Sequence, residues 1–470
     1  MKGKPRSKPV IGVLPLGRPT FDVPYAEERL AAIYSALDAA GVGSIEGWRQ
    51  LLFDATATRA AVAALKPLKP DVILILQVTF TDASMAVEIA GAFDARLAIW
   101  AIPEPRIGGR LRLNAFCGLN LAAHALGLDA KPFGYLFAAP EADGISTAIA
   151  ELLSGGRRST PVPARAPTAG SSAGRDAVAA IRGAKIGRIG AHPDGFHTCA
   201  YDAAKLNQLA GISVESLDLE SFFARAHAVN DNEARAQRVL AEAVAGGLNQ
   251  VDQPQLDRSL RLKSAIEGFR ADRGFDAFAI RCWPETFTEY GGAVCGPVAM
   301  MGEKRVPCAC EADVYGAVTS LLMQTVADAP VFLADLVDLD EADDTGVVWH
   351  CGQAPASLAD PDAHPRATIH TNRKMPLLFE FPLKAGRVTI FRISQARGDT
   401  VAVIGVGEML KRPMAFTGTS GVLRFDSGVA KVRDTVMGAA LEHHFCIAYG
   451  DHRAALESAA AALNIPVLDL

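Results

Sequence analysis

The sequence predicts an α/β architecture of three parts: two parallel-sheet domains of Rossmann or flavodoxin type, then a C-terminal β-rich, barrel-like domain. Three observations carry this. Over the first 150 residues, apolar runs of strand length alternate with amphipathic stretches. The alternation resumes after a segment rich in Gly, Pro, Ser and Ala. Beyond about residue 345 it gives way to short β-rich runs separated by turn residues. At 470 residues the chain is also too long for one core.

The elements follow in order. "VIGVLP", "YAEERLAAIYSALDAAG", "DVILILQV", "DASMAVEIAGAF" and "LAIWAIP" read as strand, helix, strand, helix, strand, the signature of βα units on a parallel sheet. This gives an N-terminal α/β domain over 1–153. "SGGRRSTPVPARAPTAGSSAGR" lacks apolar periodicity and is read as a linker or long mobile loop, 154–175. "KIGRIGA" is the next strand, "CAYDAAKLNQLAG" a helix, residues 230–245 and 257–271 further helices, and "FDAFAIRCW" a buried strand. They make a second α/β domain over 176–345. "RATIHTN", "PLLFEFPL", "RVTIFRISQ", "TVAVIGVGEML" and "GVLRFDSG" form the C-terminal domain, 346–470, as a mostly antiparallel sheet or barrel, closed by the helix "RAALESAAAALN" and the strand "IPVLDL".

Composition narrows the function. With 47 basic and 52 acidic residues the net charge is −5, which offers no reason to expect nucleic acid or an anionic membrane as partner. The N-terminus "MKGKPRSKPVIGVLPLG" does not read as a signal peptide, and runs such as "DVILILQV" fall far short of the roughly 20 residues of a membrane span. A cytoplasmic protein acting on a small polar metabolite is expected. Its eight cysteines are expected reduced, with no disulfide framework. No GxGxxG follows the first strand, so no dinucleotide site is expected.

The chemistry concentrates around "CEADVYGAVTSLLMQTVADAPVFLAD" (310–335). Val314, Ala317, Val318, Leu321, Leu322 and Val326 share one helical face, so 313–327 is a helix. It carries the chain roughly 22 Å from Glu311 at helical rise. The strand "PVFLAD" brings it back roughly 20 Å. In an α/β unit this returns Asp335 to the end of the sheet where Glu311 lies, the carboxyl edge that binds ligands. Two carboxylates brought together there repel unless a cation or a catalytic task holds them. On spacing alone the plain alternative stands equally: Glu311 favours a helix N-terminus and Asp335 ends a strand. Histidine is the natural third ligand, and His443, His444, His452 and His350 are the candidates in "LEHHFCIAYGDHRAALE" and "GVVWHCG".

"CWPETFTEYGG", "CEADVYGA", "FLAD", "WHCG" and "HHFCIAYGDHRAALESAAAALNIPV" together resemble the L-fucose isomerase and L-arabinose isomerase superfamily, above all its shorter fucose-isomerase-like members. The resemblance implies that Glu311 and Asp335 are both metal ligands and the catalytic base and acid. It implies that His444 is the C-terminal ligand, and that His350 matches an additional ligand of the arabinose enzymes. It implies a divalent metal, Mn2+ first among Fe2+, Co2+ and Zn2+, and conversion of an aldose to its ketose through a cis-enediol. The sugar would be a deoxyhexose, a pentose, or an acidic or sulfonated hexose. It further implies a homo-oligomer, trimer or hexamer, with active sites between subunits, and that Arg18 in "GRPTFD" resembles an arginine reaching a neighbour's site.

Trp283 and Glu285 follow the "FDAFAIR" strand and, with His197 in "HPDGFHT", complete the substrate-facing candidates; a turn-stabilising role for His197 is the alternative. "CAC" at Cys308 and Cys310 lacks a second pair at zinc spacing and reads as buried or loop cysteines. Two rival functions use the same features: a metal-dependent sugar epimerase or lyase, and a non-catalytic sugar-binding or sensor protein.

Overall fold

"VILILQ", residues 72–77, is buried at every position, as a central strand covered on both faces must be. It lies in the first of three sheets in the computed structural model, which describes residues 8–470. This sheet holds β1 (Val10–Leu16), β2 (Ser44–Gly47), β3 (Val72–Gln77), β4 (Arg96–Ala101) and β5 (Gly134–Phe137) in the order β2-β1-β3-β4-β5, parallel throughout. That is the flavodoxin-like order of doubly wound folds. The second sheet repeats the winding: β6 (Lys185–Ile189), β7 (Ser213–Leu217), β8 (Ala277–Ile280) and β9 (Cys308–Ala309), ordered β7-β6-β8-β9 and again parallel.

The third sheet has nine strands: β10 (Phe332–Asp340), β11 (Thr345–His350), β12 (Arg366–Thr368), β13 (Leu378–Pro382), β14 (Gly386–Ser394), β15 (Val401–Met409), β16 (Thr419–Phe425), β17 (His444–Tyr449) and β18 (Val467–Asp469). Six of them run β16-β11-β10-β17-β14-β15, each antiparallel to the next, and β15 pairs back onto β16. The ring closes into a barrel, so these strands have no free edge. The expected fold class, two parallel-sheet α/β regions and a β-rich barrel, is therefore what the chain adopts.

By compactness the chain divides into two units. One holds residues up to 105 with 111–161 and 434–441; the other holds 106–110, 162–433 and 442–470. In the second unit the helix Val314–Ala327 is buried from Val314 through Gln324, on all sides rather than one. It shares a core with Ala277 and Ala279 of β8, Phe391 and Ile393 of β14, and Cys446 and Ala448 of β17. A helix apolar all round is a helix packed all round.

Two expectations are corrected. Asp335 does not end a parallel strand: its strand continues to Asp340 and lies in the barrel between β11 and β17, antiparallel to both. Only Glu311 follows a strand of the second parallel sheet. The segment 154–175 is also not loose along its length. The backbone N–H groups of Arg165 and Val467 each donate to the other's carbonyl at 2.8 Å. The Arg165 guanidinium meets Glu457 at 2.8 Å and Asp469 at 2.7 Å, and a helix begins at Ser172. Among the described residues no helix is long and apolar enough to cross a membrane.

Candidate metal and sugar site

Glu311 sits on the turn Cys310–Ala312 between β9 and the buried helix. Glu311 and Ala312 both have left-handed backbone, φ 59° and 54°. For residues with a Cβ this costs about 1 kcal/mol or more each, a strain found where geometry serves function. Asp313 then caps the helix, accepting the Gly316 backbone N–H at 2.8 Å.

Asp335 and His444 are register partners on β10 and β17, so their side chains emerge on the same face. His444 Nε2 lies 3.3 Å from Asp335 Oδ1 and 3.8 Å from Glu311 Oε2. His443 stacks against His444 with centroids 3.9 Å apart, and its Nε2 meets Glu311 Oε2 at 2.9 Å. The barrel and the residue before β17 thus bring one carboxylate, Asp335, and three imidazoles, His350, His443 and His444, and the turn after β9 supplies the other carboxylate. Of the expected set, Glu311, Asp335, His350 and His444 come together, and a ligand atom from each of Asp335, His350 and His444 lies within 4.8 Å of the others.

Asp313, which the sequence reading passed over, fixes His444. It lies 2.9 Å from His444 Nδ1 and takes both Nη groups of the fully buried Arg392, at 2.5 and 3.0 Å. A carboxylate facing Nδ1 accepts a hydrogen bond from a proton held there and leaves the Nε2 lone pair toward Glu311 and Asp335. Burial opposes the Asp313 charge, but Arg392 and His444 outweigh it and hold the carboxyl well below the ordinary aspartate range. The available signal was a carboxylate at a helix N-cap two residues after Glu311; nothing in the sequence indicated Arg392.

The carboxylates of the site shift oppositely. Burial works against the Glu311 charge, yet the His443 contact and the imidazoles of His443, His444 and His350 bring its pKa down. Asp335 goes up through burial, opposed by His444 and reinforced by the neighbouring Glu311 charge. Asp335 Oδ1, His444 Nε2 and His350 Nε2 are buried without a hydrogen-bond partner. Buried polar atoms so placed are costly unless a ligand completes them.

His350 differs from His444 in tautomer. Its Nδ1 accepts the Cys351 backbone N–H at 2.8 Å, and burial keeps the ring neutral, so Nε2 carries the proton. A protonated nitrogen donates a hydrogen bond and offers a metal no lone pair.

The remaining candidates divide. Trp283 reaches the site, its Nε1 donating to Glu311 Oε1 at 3.2 Å. Glu285 does not present a free carboxylate, because Arg281 takes both oxygens at 2.6 and 2.7 Å. His197 places Nδ1 3.3 Å from the Gly195 carbonyl; its neighbours Phe196 and Cys199 approach the site instead. Phe196 lies edge-on to Trp283 at 5.3 Å and to His443 at 6.0 Å. Cys199 falls within ligand range of Glu311, His443 and His444, but burial drives its thiol pKa well up, away from the thiolate a metal prefers. Arg18 belongs to the first unit, paired with Asp82 at 2.7 Å.

The cysteine expectation is corrected at the same place. Cys282 and Cys310 form a disulfide with Cα atoms 5.8 Å apart, each directly preceding a site residue, Trp283 or Glu311. They meet because β8 and β9 are neighbours in the sheet. Cys308 remains a buried free thiol.

Residues 12–158 match the family described as fucose/sulfoquinovose isomerase, N-terminal domain. Over this stretch the chain is similar to the fucose isomerase-like family. Similar proteins of this family include three sulfoquinovose isomerases, each 29% identical. That of Alkalicoccus urumqiensis aligns over 85% of this chain and 86% of its own length. That of Priestia megaterium aligns over 93% and 94%, and that of Clostridium sp. strain MSTE9 over 97% and 98%. In class, this fucose isomerase-like chain is an aldose–ketose isomerase.

Proposed function

We propose that the protein converts sulfoquinovose to its ketose through a cis-enediol, with a divalent metal, Mn2+ first, held by Glu311, Asp335 and His444. The observation that carries this is the convergence of two buried carboxylates and an imidazole whose facing atoms, Asp335 Oδ1 and His444 Nε2, have no hydrogen-bond partner. The donor set of hard oxygens with one neutral nitrogen fits Mn2+ or a similar divalent ion. A bound ion would polarise the sugar carbonyl and stabilise negative charge developing on O1 and O2.

The protein's own groups do the rest. Glu311 and Asp335 move the proton between C2 and C1 as general base and acid. His443 and Trp283 both contact Glu311 and hold its carboxylate in place. We assign His350 to the sugar rather than the metal: its Nε2–H is the buried donor left to meet a substrate hydroxyl. Asp313 positions His444 and touches no reacting atom. Assembly into a homo-oligomer is part of the proposal, on family resemblance.

The test is metal content of the purified protein followed by ketose formation from sulfoquinovose with Mn2+, wild type beside Glu311→Gln. Ketose that appears with wild type and is lost in the variant supports the reading. A product of unchanged aldose type would make it an epimerase; a metal-free protein that turns over no sugar with added Mn2+ would overturn it.

A further inference from the structure

Cys282 and Cys310 lie just past the ends of β8 and β9, which pair through Phe278 with Cys308 and Ala279 with Ala309. Each directly precedes a residue of the site. Trp283 and Glu311 are themselves joined, the indole Nε1 donating to Glu311 Oε1 at 3.2 Å. A covalent bond and a hydrogen bond thus clasp the same two segments, one residue apart.

The segment that carries Glu311 needs holding. Glu311 and Ala312 keep left-handed backbone, φ 59° and 54°, which residues with a Cβ retain only where their surroundings fix it. On its far side the turn is fixed by Asp313, whose backbone N–H donates to the Cys310 carbonyl at 3.0 Å and whose carboxylate takes Arg392 and faces His444. On its near side β9 is only two residues long, and the disulfide directly follows it. The sulfurs sit in apolar surroundings, with Val294, Val298, Met301 and Cys308 in the same core cluster. Cys308 does not compete for the pairing, because burial drives its thiol pKa up, away from the thiolate that attacks a disulfide.

We propose that the Cys282–Cys310 disulfide is a positioning device for Glu311, so that a dithiol–disulfide couple lowers and restores the activity of this site. The inference rests on the isomerase reading above. Reduction is a two-electron exchange: two electrons and two protons pass from a dithiol to Cys282 and Cys310, the S–S bond breaks, and the dithiol closes to its own disulfide. The freed turn relaxes from its left-handed backbone, and the Glu311 carboxylate loses its placement.

The test compares the air-oxidised wild type with the same protein reduced by dithiothreitol, the reagent being removed under argon before Mn2+ is added. Thiol titration in denaturant gives six free thiols before reduction and eight after. On reduction kcat for sulfoquinovose falls about 10- to 100-fold with KM little changed, since a misplaced base is felt in the transition state, and reoxidation restores it. A disulfide that merely stabilises the chain lowers Tm and leaves kcat of the folded protein unchanged. That result, or eight free thiols in the air-oxidised protein, overturns the proposal. Cys282→Ala/Cys310→Ala matches the reduced wild type and does not respond to the reagent; a variant with the wild-type kcat overturns it.

Hydrogen exchange separates this outcome from failure of the isomerase reading, because it needs no turnover. After reduction the amides of 308–316 exchange faster while those of 72–77 are unchanged. Faster exchange there supports the positioning role even if no ketose forms; equal exchange in the two redox forms overturns it.

Discussion

Two buried carboxylates, one in each unit, behave in opposite ways. Glu104 follows β4 of the first sheet, and its oxygens accept the backbone N–H groups of Arg112, Leu113 and Asn114, the last two at 2.9 Å. Asp335 in the barrel is buried to the same degree, but its Oδ1 has no hydrogen-bond partner and faces two imidazoles and a second carboxylate. A buried charge satisfied by the backbone is architecture: it pins a loop. One left facing other titratable groups is a place where a ligand completes the structure. The two units share a parallel winding order, and the difference lies in what the backbone has already satisfied.

The sharpest break in this comparison is Glu311→Gln. Ketose formation should fall at least about a thousandfold, since proton transfer by a positioned group is worth up to about four orders of magnitude. Thermal melting should show the fold intact. Asp313→Asn comes next. It leaves Arg392 buried without its full partner, which should cost about 3 kcal/mol or more in denaturant unfolding. It should also weaken Mn2+ binding about 10- to 100-fold in calorimetry, because His444 loses its orienting carboxylate.

Removing metal with a chelator tests the same site from the ligand side. If the second unit is completed by an ion present at about 100 times its Kd, chelation should remove about 2.7 kcal/mol of stability, read as a lower Tm restored by Mn2+. The smallest effect belongs to the satisfied carboxylate. Glu104→Ala should cost about 1–3 kcal/mol by leaving backbone donors unpaired, with Mn2+ affinity unaltered. A loss of metal binding in this variant would erase the distinction between the two regions.

Much of the fold was legible because burial writes itself into periodicity. "VILILQ" announces a covered strand, and "RVTIFRISQ" and "TVAVIGVGEML" become the long antiparallel pair β14 and β15. The site was legible only in part. Glu311 and Asp335 could be singled out by residue type and spacing, and His444 by family resemblance, but the route by which they meet could not. The reading placed both carboxylates at one edge of one parallel sheet; they arrive from a parallel sheet and a barrel. Asp313 was passed over because its partners, Arg392 on β14 and His444 on β17, are remote in sequence. Cys282 and Cys310, 28 residues apart, pair because their strands are neighbours.

By itself, then, the sequence determined most of the strands and helices, which depend on residue type and local period, and it offered Glu311, Asp335 and His444 as candidates for the chemistry, the histidine through family resemblance. Only the tertiary structure decided that β10 lies between β11 and β17 in a register that sets Asp335 opposite His444. Strand pairing is long-range, and a slip of one residue would turn Asp335 to the other face of the sheet. Position within the barrel, rather than any local signal, therefore puts the second carboxylate beside the first.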